Sequence, residues 1–184
     1  WIPRLAIVAG VWLMSGLIPA PAAAQCPVYL TQWGTRGSND GQFTYPFGLG
    51  TDDAGNLYVA DAENNRIQKF TGSGAYLTQW GGPAGAGDGQ FNYPADVATD
   101  GAGNIYVADF YNHRVQKFTG SGAYLAQWGS FGNGIGQFSY PIGVATDGSG
   151  DVYVSEYGNH RIQKFTNSGV YITQWGSNGS GNGQ

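Results

Sequence analysis

The chain has 184 residues, of which 8 are Lys or Arg and 12 are Asp or Glu, so its formal net charge is −4. An acidic and lightly charged chain lacks the clustered Lys and Arg that bind phosphate backbones, which argues against a nucleic-acid partner. Its single cysteine, Cys26, excludes an internal disulfide.

The first 24 residues have the pattern of a secretory signal peptide. Trp1–Arg4 carry one positive charge, an apolar stretch follows, and Ala22–Ala24 supply the small residues of a cleavage site. The apolar run is shorter than the roughly 20 residues of a transmembrane helix. We therefore predict a mature chain of residues 25–184 that is secreted, periplasmic or at the cell surface and has no membrane span. A lipid anchor on Cys26 is the alternative, which the bulky Gln25 disfavours.

A six-residue segment returns along the chain at a nearly fixed period. Its copies begin at Tyr29, Tyr76, Tyr124 and Tyr171, and they read YLTQWG, YLTQWG, YLAQWG and YITQWG. A period of 47 or 48 residues marks a chain built from stacked copies of one supersecondary unit. The full repeats span residues 42–81, 90–129 and 137–176, and the first copy of the segment stands alone.

Each repeat holds four short runs with the composition of β-strands. In the first repeat the runs are Phe47–Thr51, Asn56–Asp61, Arg66–Thr71 and Tyr76–Gly81, and the other repeats carry them at equivalent positions. The intervening DDAG, DGAG, DGSG, GSG and NSG segments have the chemistry of hairpin turns. No repeat shows the 3.6-residue apolar period of a helix. The sequence therefore predicts an all-β chain, a β-propeller whose blades are four-stranded antiparallel sheets.

The third strands each contain one lysine. We expect the lysine stems to lie along the sheet and the amines to be exposed. The residues are Lys69, Lys117 and Lys164.

In these details the repeats resemble the NHL family. The resemblance is carried by the Tyr-Pro segment that ends in Val-Ala-Thr-Asp, by the IYVAD strand, and by the NHR triplets at Asn112–Arg114 and Asn159–Arg161. The equivalent Asn64–Arg66 departs at its middle letter. The resemblance implies a six-bladed ring in the complete protein, of which about three blades and one further strand are present here. We predict that this strand, Tyr29–Gly34, pairs with the last blade of the ring.

The loop between the second and third strands repeats an acid, an Asn, an Asn or His, and an Arg. In a propeller this loop lies on the rim where ligands usually bind. Its candidate binding residues are Asp61, Asp109 and Glu156 together with Asn65, His113 and His160. Carboxylates suit calcium and histidines suit zinc, so a cation is one interpretation. The other is structural: the acid and the Arg form an ion pair or cap the backbone donors of the loop.

A further candidate lies on the first strand, which lines the central channel of a propeller. Asp96 is the one carboxylate at a position that holds Gly48 and Gly143 in the other repeats. It is a candidate contact for a ligand or ion, and the alternative is a solvated acid in the channel. No cofactor is predicted, although calcium or zinc would be the metals that suit these residues.

The resemblance implies an exported binding scaffold for a protein, peptide or glycan. It also implies an alternative, because some propellers of this type are metal-dependent lyases or lactonases with their site in the central channel. RNA binding through a basic face is disfavoured by the charge. A ubiquitin-ligase role is disfavoured as well, because the chain lacks a Cys/His zinc module.

Overall fold

The computed structural model describes residues 30–184, and the predicted leader at residues 1–24 lies outside them. The twelve strands in these residues form three four-stranded antiparallel sheets, in which each strand pairs with the next along the chain. Short 3₁₀ turns at Ala62–Asn64 and Phe110–Asn112 join the second and third strands of the first two sheets. The strands are β1 (Pro46–Thr51), β2 (Leu57–Asp61), β3 (Arg66–Phe70), β4 (Tyr76–Gly81), β5 (Pro94–Thr99), β6 (Asn104–Asp109), β7 (Arg114–Thr119), β8 (Tyr124–Trp128), β9 (Pro141–Thr146), β10 (Val152–Glu156), β11 (Arg161–Phe165) and β12 (Tyr171–Trp175).

These sheets confirm the predicted all-β fold, and we call them blades I (β1–β4), II (β5–β8) and III (β9–β12). Every predicted strand of the three full repeats is formed, and its ends differ from the prediction by at most one residue. The first strands β1, β5 and β9 contact one another in series, so they lie on the inner side of the blades. The 3₁₀ turns were not predicted.

The first hairpin of each blade is held by an aspartate that turns back on its own loop. In blade I, Asp52 Oδ1 accepts hydrogen bonds from the backbone N–H of Ala54 at 3.1 Å and of Asn56 at 2.8 Å. Gly55 follows with a φ of 79°, a value that glycine adopts at little cost. This local chemistry explains why the turn could be located from its letters alone.

The hydrophobic core lies between the blades rather than within any one of them. One cluster joins Tyr58, Ala60 and Ile67 of blade I to Val97, Ile105 and Phe118 of blade II. A second cluster joins blade II to blade III in the same way, through Tyr106 and Phe165 among others. Each sheet therefore covers the apolar face of its neighbour, as stacked repeats require.

The predicted strand at Tyr29–Gly34 is not formed in the part that the structure describes, Leu30–Gly34. Trp33 nevertheless packs on a hairpin glycine of blade I, as the outer-strand tryptophans of blades I and II pack on the blade that follows them. The ring–glycine pairs are Trp33–Gly74, Trp80–Gly122 and Trp128–Gly169. Pairing of this segment with a last blade stays a prediction. Within residues 30–184 no helix is long and apolar enough to cross a membrane.

Candidate functional site

The acid of the second-strand loop lies in a buried hydrogen-bond network. Asp61 is fully buried, and its Oδ2 accepts from Arg66 Nε at 2.8 Å, Asn64 Nδ2 at 2.9 Å and Gln68 Nε2 at 3.1 Å. Its Oδ1 accepts from the backbone N–H of Thr44 at 2.7 Å. Such a carboxylate is paired and fully hydrogen-bonded, which is how a buried charge is tolerated.

The same network is built in the other two blades. Asp109 pairs with Arg114 at 2.8 Å, and Glu156 pairs with Arg161 at 2.6 Å. Each guanidinium also donates to backbone carbonyls of the loop that precedes its blade. These contacts are those of the structural alternative, in which the acid and the Arg form an ion pair and the acid accepts from backbone donors of the loop. The three acids tie the rim loops to the sheets, and Glu156 also borders an open cavity together with His160 and Arg161.

The Asn or His of the triplet joins one blade to the next. Asn65 Oδ1 accepts from the backbone N–H of Tyr93 at 2.9 Å, and His113 Nδ1 accepts from that of Tyr140 at 3.2 Å. Asn65, His113 and His160 all have a φ of 53°, a left-handed conformation in which Asn and His are enriched. Asn and His are interchangeable here because both place an acceptor at the δ1 position. His160 has the same backbone conformation and is exposed.

The acceptor role of His113 predicts pH-dependent stability. Burial lowers the pKa of His113, and the nearby Asp109 carboxylate opposes this shift. The folded state therefore favours the neutral ring. The stability that this ring contributes is present above the ordinary pKa of about 6.5 and is lost as the pH falls through the lowered folded-state pKa.

We expect His113→Asn to keep the bond to Tyr140 and to remove this part of the pH dependence. His113→Ala leaves the Tyr140 N–H without its acceptor and should lower the free energy of unfolding at pH 7 by about 1 kcal/mol. Urea unfolding between pH 7 and about pH 5 measures both effects. An asparagine variant with the pH profile of the parent chain would show that His113 does not cause it.

Asp96 also connects two blades. Its Oδ2 accepts from the backbone N–H of Val144 on β9 at 2.9 Å, and its Oδ1 accepts from that of Val97 at 2.9 Å. Burial raises the pKa of Asp96, and these two backbone donors oppose the shift. A Cβ added to Gly48 would lie 2.3 Å from Asp96 Oδ1, so the glycine of blade I makes room for the acid of blade II. The carboxylate is half-buried beside the inner strands.

The lysine side chains of the third strands are partly exposed, and their amines also make contacts that the sequence did not predict. Lys69 Nζ donates to the carbonyl of Gly120 in blade II at 3.1 Å and lies 4.9 Å from the centre of the Tyr58 ring of its own blade. Lys117 donates to the carbonyl of Asn167 in blade III and lies over Tyr106 of its own blade. Lys164 pairs with Asp151 at 2.8 Å.

Sequence reasoning missed a surface that we call the aromatic rim. It is a connected row of rings from β1, from the loop that carries the 3₁₀ turn of blade II and from the loops before β5 and β9, with neighbouring centroids 4.8–6.3 Å apart. Its members are Phe47, Tyr93, Phe110, Tyr111, His113, Phe131 and Tyr140. Three of these rings are at least half exposed: Phe47 at 52%, Tyr111 at 51% and Phe131 at 66%.

Backbone conformation helps to form the aromatic rim. Tyr93 and Tyr140 precede prolines and have φ values of 63° and 56°, in the left-handed region that bulky side chains rarely occupy. Both rings contact Phe110, at 5.9 Å and 5.0 Å. The available signal was the change of letters in one loop, where Phe110 and Tyr111 replace the alanine and glutamate of the first repeat.

The candidate site residues do not meet in one cluster. The structure distributes them over three buried networks, inter-blade hydrogen bonds made by Asn65, His113 and Asp96, and the exposed His160. Among residues 30–184, no group of three or more His, Cys, Asp or Glu side chains is arranged to hold a metal ion. Within residues 30–184, the aromatic rim is a contiguous surface with several exposed rings.

Four-stranded sheets that contact through their first strands and share cores across each junction define a β-propeller protein. Its blades are NHL repeats: the family model for the NHL repeat matches residues 43–70, 91–118 and 138–165. No curated protein matches the chain.

Solved structures share this fold at low sequence identity. Virginiamycin B lyase from Staphylococcus aureus is 18% identical, with a TM-score of 0.53 over 70% of this chain and 40% of that one. Hydrazine synthase from Kuenenia stuttgartiensis is 14% identical, with a TM-score of 0.58 over 84% and 41%. A chain of a nidogen/laminin complex is 17% identical, with a TM-score of 0.53 over 72% and 47%. The alignments cover less than half of each of these proteins, and the similarity is one of fold.

Proposed function

We propose that this chain belongs to an exported β-propeller that acts as a binding scaffold for a protein, a peptide or a glycan, held on its loop rim. The observation that carries this proposal is the aromatic rim. The exposed rings of Tyr111 and Phe131 belong to one connected row on loops, whereas the acid and Arg of the repeated motif are buried in pairs. Aromatic side chains are enriched in binding interfaces because they bury a large area and still offer polar groups.

The hydrogen bonds that hold the loops beneath the aromatic rim also favour a binding scaffold. The loops beneath it are held by the Arg114 guanidinium, which donates to three of their backbone carbonyls, and by the His113 bond to the next blade. A surface that is ordered before it binds loses less conformational entropy on binding. A similar fold occurs in the nidogen/laminin complex, in agreement with a propeller as a protein-binding module. The similarity to the lyase concerns the fold and gives no activity for this chain.

A binding screen tests this function. Immobilised glycans and a peptide library are probed with the purified chain and with its Tyr111→Ala variant. We expect at least one ligand whose affinity falls roughly tenfold in the variant, because hot-spot aromatics contribute most to such interfaces. Tyr157→Ala is the matched control, since Tyr157 lies in the same loop of blade III, is 66% exposed and is outside the aromatic rim. If no glycan or peptide binds through the rim, the scaffold proposal fails.

Export is the second part of the proposal, and it depends on the pattern of residues 1–24. N-terminal sequencing of the protein recovered outside the cytoplasm should begin at Gln25. A protein recovered with Trp1–Arg4 still attached would contradict it.

A further inference from the structure

The distribution of charged side chains indicates which kind of partner the aromatic rim binds. Of the seven Lys and Arg beyond residue 24, six form ion pairs or hydrogen bonds with other residues of the chain. Three arginines are buried in ion pairs and three lysines contact carbonyls, acids or tyrosine rings. Arg36 is the one basic side chain with no acid or carbonyl partner in residues 30–184. The electrostatic field at the surface is therefore mainly negative, because it comes from carboxylates that have no basic partner.

One of these carboxylates lies next to the aromatic rim. Glu63 is exposed, and its side chain makes no ion pair within the described residues. The Tyr93 backbone N–H donates to Asn65 Oδ1 at 2.9 Å, which ties Tyr93 to the loop that carries Glu63. Burial and the negative charge of Glu63 both raise the pKa of the Tyr93 hydroxyl, in agreement with this placement. A carboxylate therefore lies beside the rings of the rim.

Aromatic faces next to carboxylates attract cations. An ammonium or guanidinium group over a tyrosine or phenylalanine ring is stabilised by the negative face of the ring. The chain uses this contact in all three blades, where a lysine Nζ lies over a tyrosine ring. The distances to the ring centres are 4.9 Å for Lys69–Tyr58, 5.2 Å for Lys117–Tyr106 and 5.0 Å for Lys164–Tyr153.

We propose that the aromatic rim binds a basic segment of a partner polypeptide, with an Arg or Lys side chain over the Tyr93 and Tyr111 rings and in contact with Glu63. The rings extend from Phe47 in blade I to Phe131 in the loop before blade III, and such a row suits an extended chain better than a single small cation. This inference rests on the proposed scaffold function, and it names the partner's charge and form.

The test uses three short peptides on the purified chain. The first is an acetylated and amidated peptide in which arginine alternates with glycine. The second replaces each arginine by citrulline, which keeps the shape and removes the charge, and the third replaces it by glutamate. Calorimetry at low and high salt measures binding. We expect the arginine peptide to bind roughly 5–10-fold more tightly than the citrulline peptide, with the difference shrinking at high salt.

Variants place the binding on the rim. Tyr111→Ala should weaken the arginine peptide by roughly 5–10-fold, and Glu63→Gln should weaken it by about threefold. Glu63→Gln should leave the citrulline peptide unchanged. Tyr157→Ala is the control and should change neither. Circular dichroism confirms that each variant is folded.

The outcomes separate this inference from the scaffold function. Equal affinity for arginine and citrulline peptides would overturn the inference, and a rim-dependent ligand in the screen would still support a scaffold. Arginine-peptide binding that survives both Tyr111→Ala and Glu63→Gln would also overturn it, because the peptide would then bind elsewhere. A screen in which no probe depends on the rim would contradict both proposals.

Discussion

Replacing Asp109 by alanine is expected to lower the free energy of unfolding by about 3–5 kcal/mol, the usual cost of removing one partner of a buried ion pair. Asp109 is fully buried and accepts from Arg114, Asn112 and Gln116 side chains and from the backbone of Asn92. Alanine leaves the guanidinium as an uncompensated buried charge and removes the acceptor of the other donors. Urea unfolding followed by tryptophan fluorescence measures the loss.

Two further variants serve as controls for the stability measured with Asp109→Ala. Asp53→Ala removes an exposed carboxylate, and we expect a change within about 0.5 kcal/mol. Adding Arg114→Met to Asp109→Ala removes the buried charge and should restore part of the lost stability. If Asp109→Ala costs no more than Asp53→Ala, the buried network does not stabilise the blade.

Replacing Phe118 by alanine should cost about 3–5 kcal/mol, the range for a large aromatic side chain removed from a core. Phe118 is fully buried, and its ring centre lies 5.5 Å from that of Phe91, 5.7 Å from that of Trp80 and 6.0 Å from that of Tyr124. Because Trp80 belongs to blade I, the cavity opens at the junction of two blades. Hydrogen exchange should therefore quicken in β2 and β3 as well as in β6 and β7.

The controls for this variant are one exposed site and one smaller change. Leu125 is 48% exposed on β8, and Leu125→Ala should change stability by less than about 1 kcal/mol. Phe118→Leu keeps most of the buried volume and should cost less than Phe118→Ala. Faster exchange confined to blade II would contradict a core shared between blades.

The strands could be predicted from the sequence because the determining signals are local and repeated. Asp52 and Gly55 specify a hairpin by their own chemistry, and three copies in register remove most of the uncertainty in the boundaries. The ion pair of Asp61 and Arg66 could also be proposed, since an acid and an Arg lie at opposed positions of two paired strands. Both are properties of one repeat considered alone.

What the sequence did not reveal depends on contacts between repeats. The partner of Asn65 is a backbone N–H 28 residues away in the next blade, and no letter marks a backbone donor. Lys69 contacts Gly120 across the same junction, and the sequence did not predict this contact. The aromatic rim combines rings from three blades, and some of them, such as Phe131, stand where the other repeats have no aromatic residue.

Several expectations stay predictions. The leader lies outside the described residues. The six-bladed ring and the pairing of Tyr29–Gly34 concern blades that the described residues do not include. The binding role of Asp96 and of His160 also stays a prediction.

The blade junctions have a consequence for how such a protein changes during evolution. At each junction, the δ1 acceptor of one blade accepts a hydrogen bond from a backbone N–H of the next blade, and a tryptophan packs on a glycine. A tandem duplication of residues 90–136 would carry a complete set of these parts at both of its borders. The gene can therefore lengthen by whole repeats without new interface residues, while substitutions at positions 110 and 111 change the exposed surface of the loop.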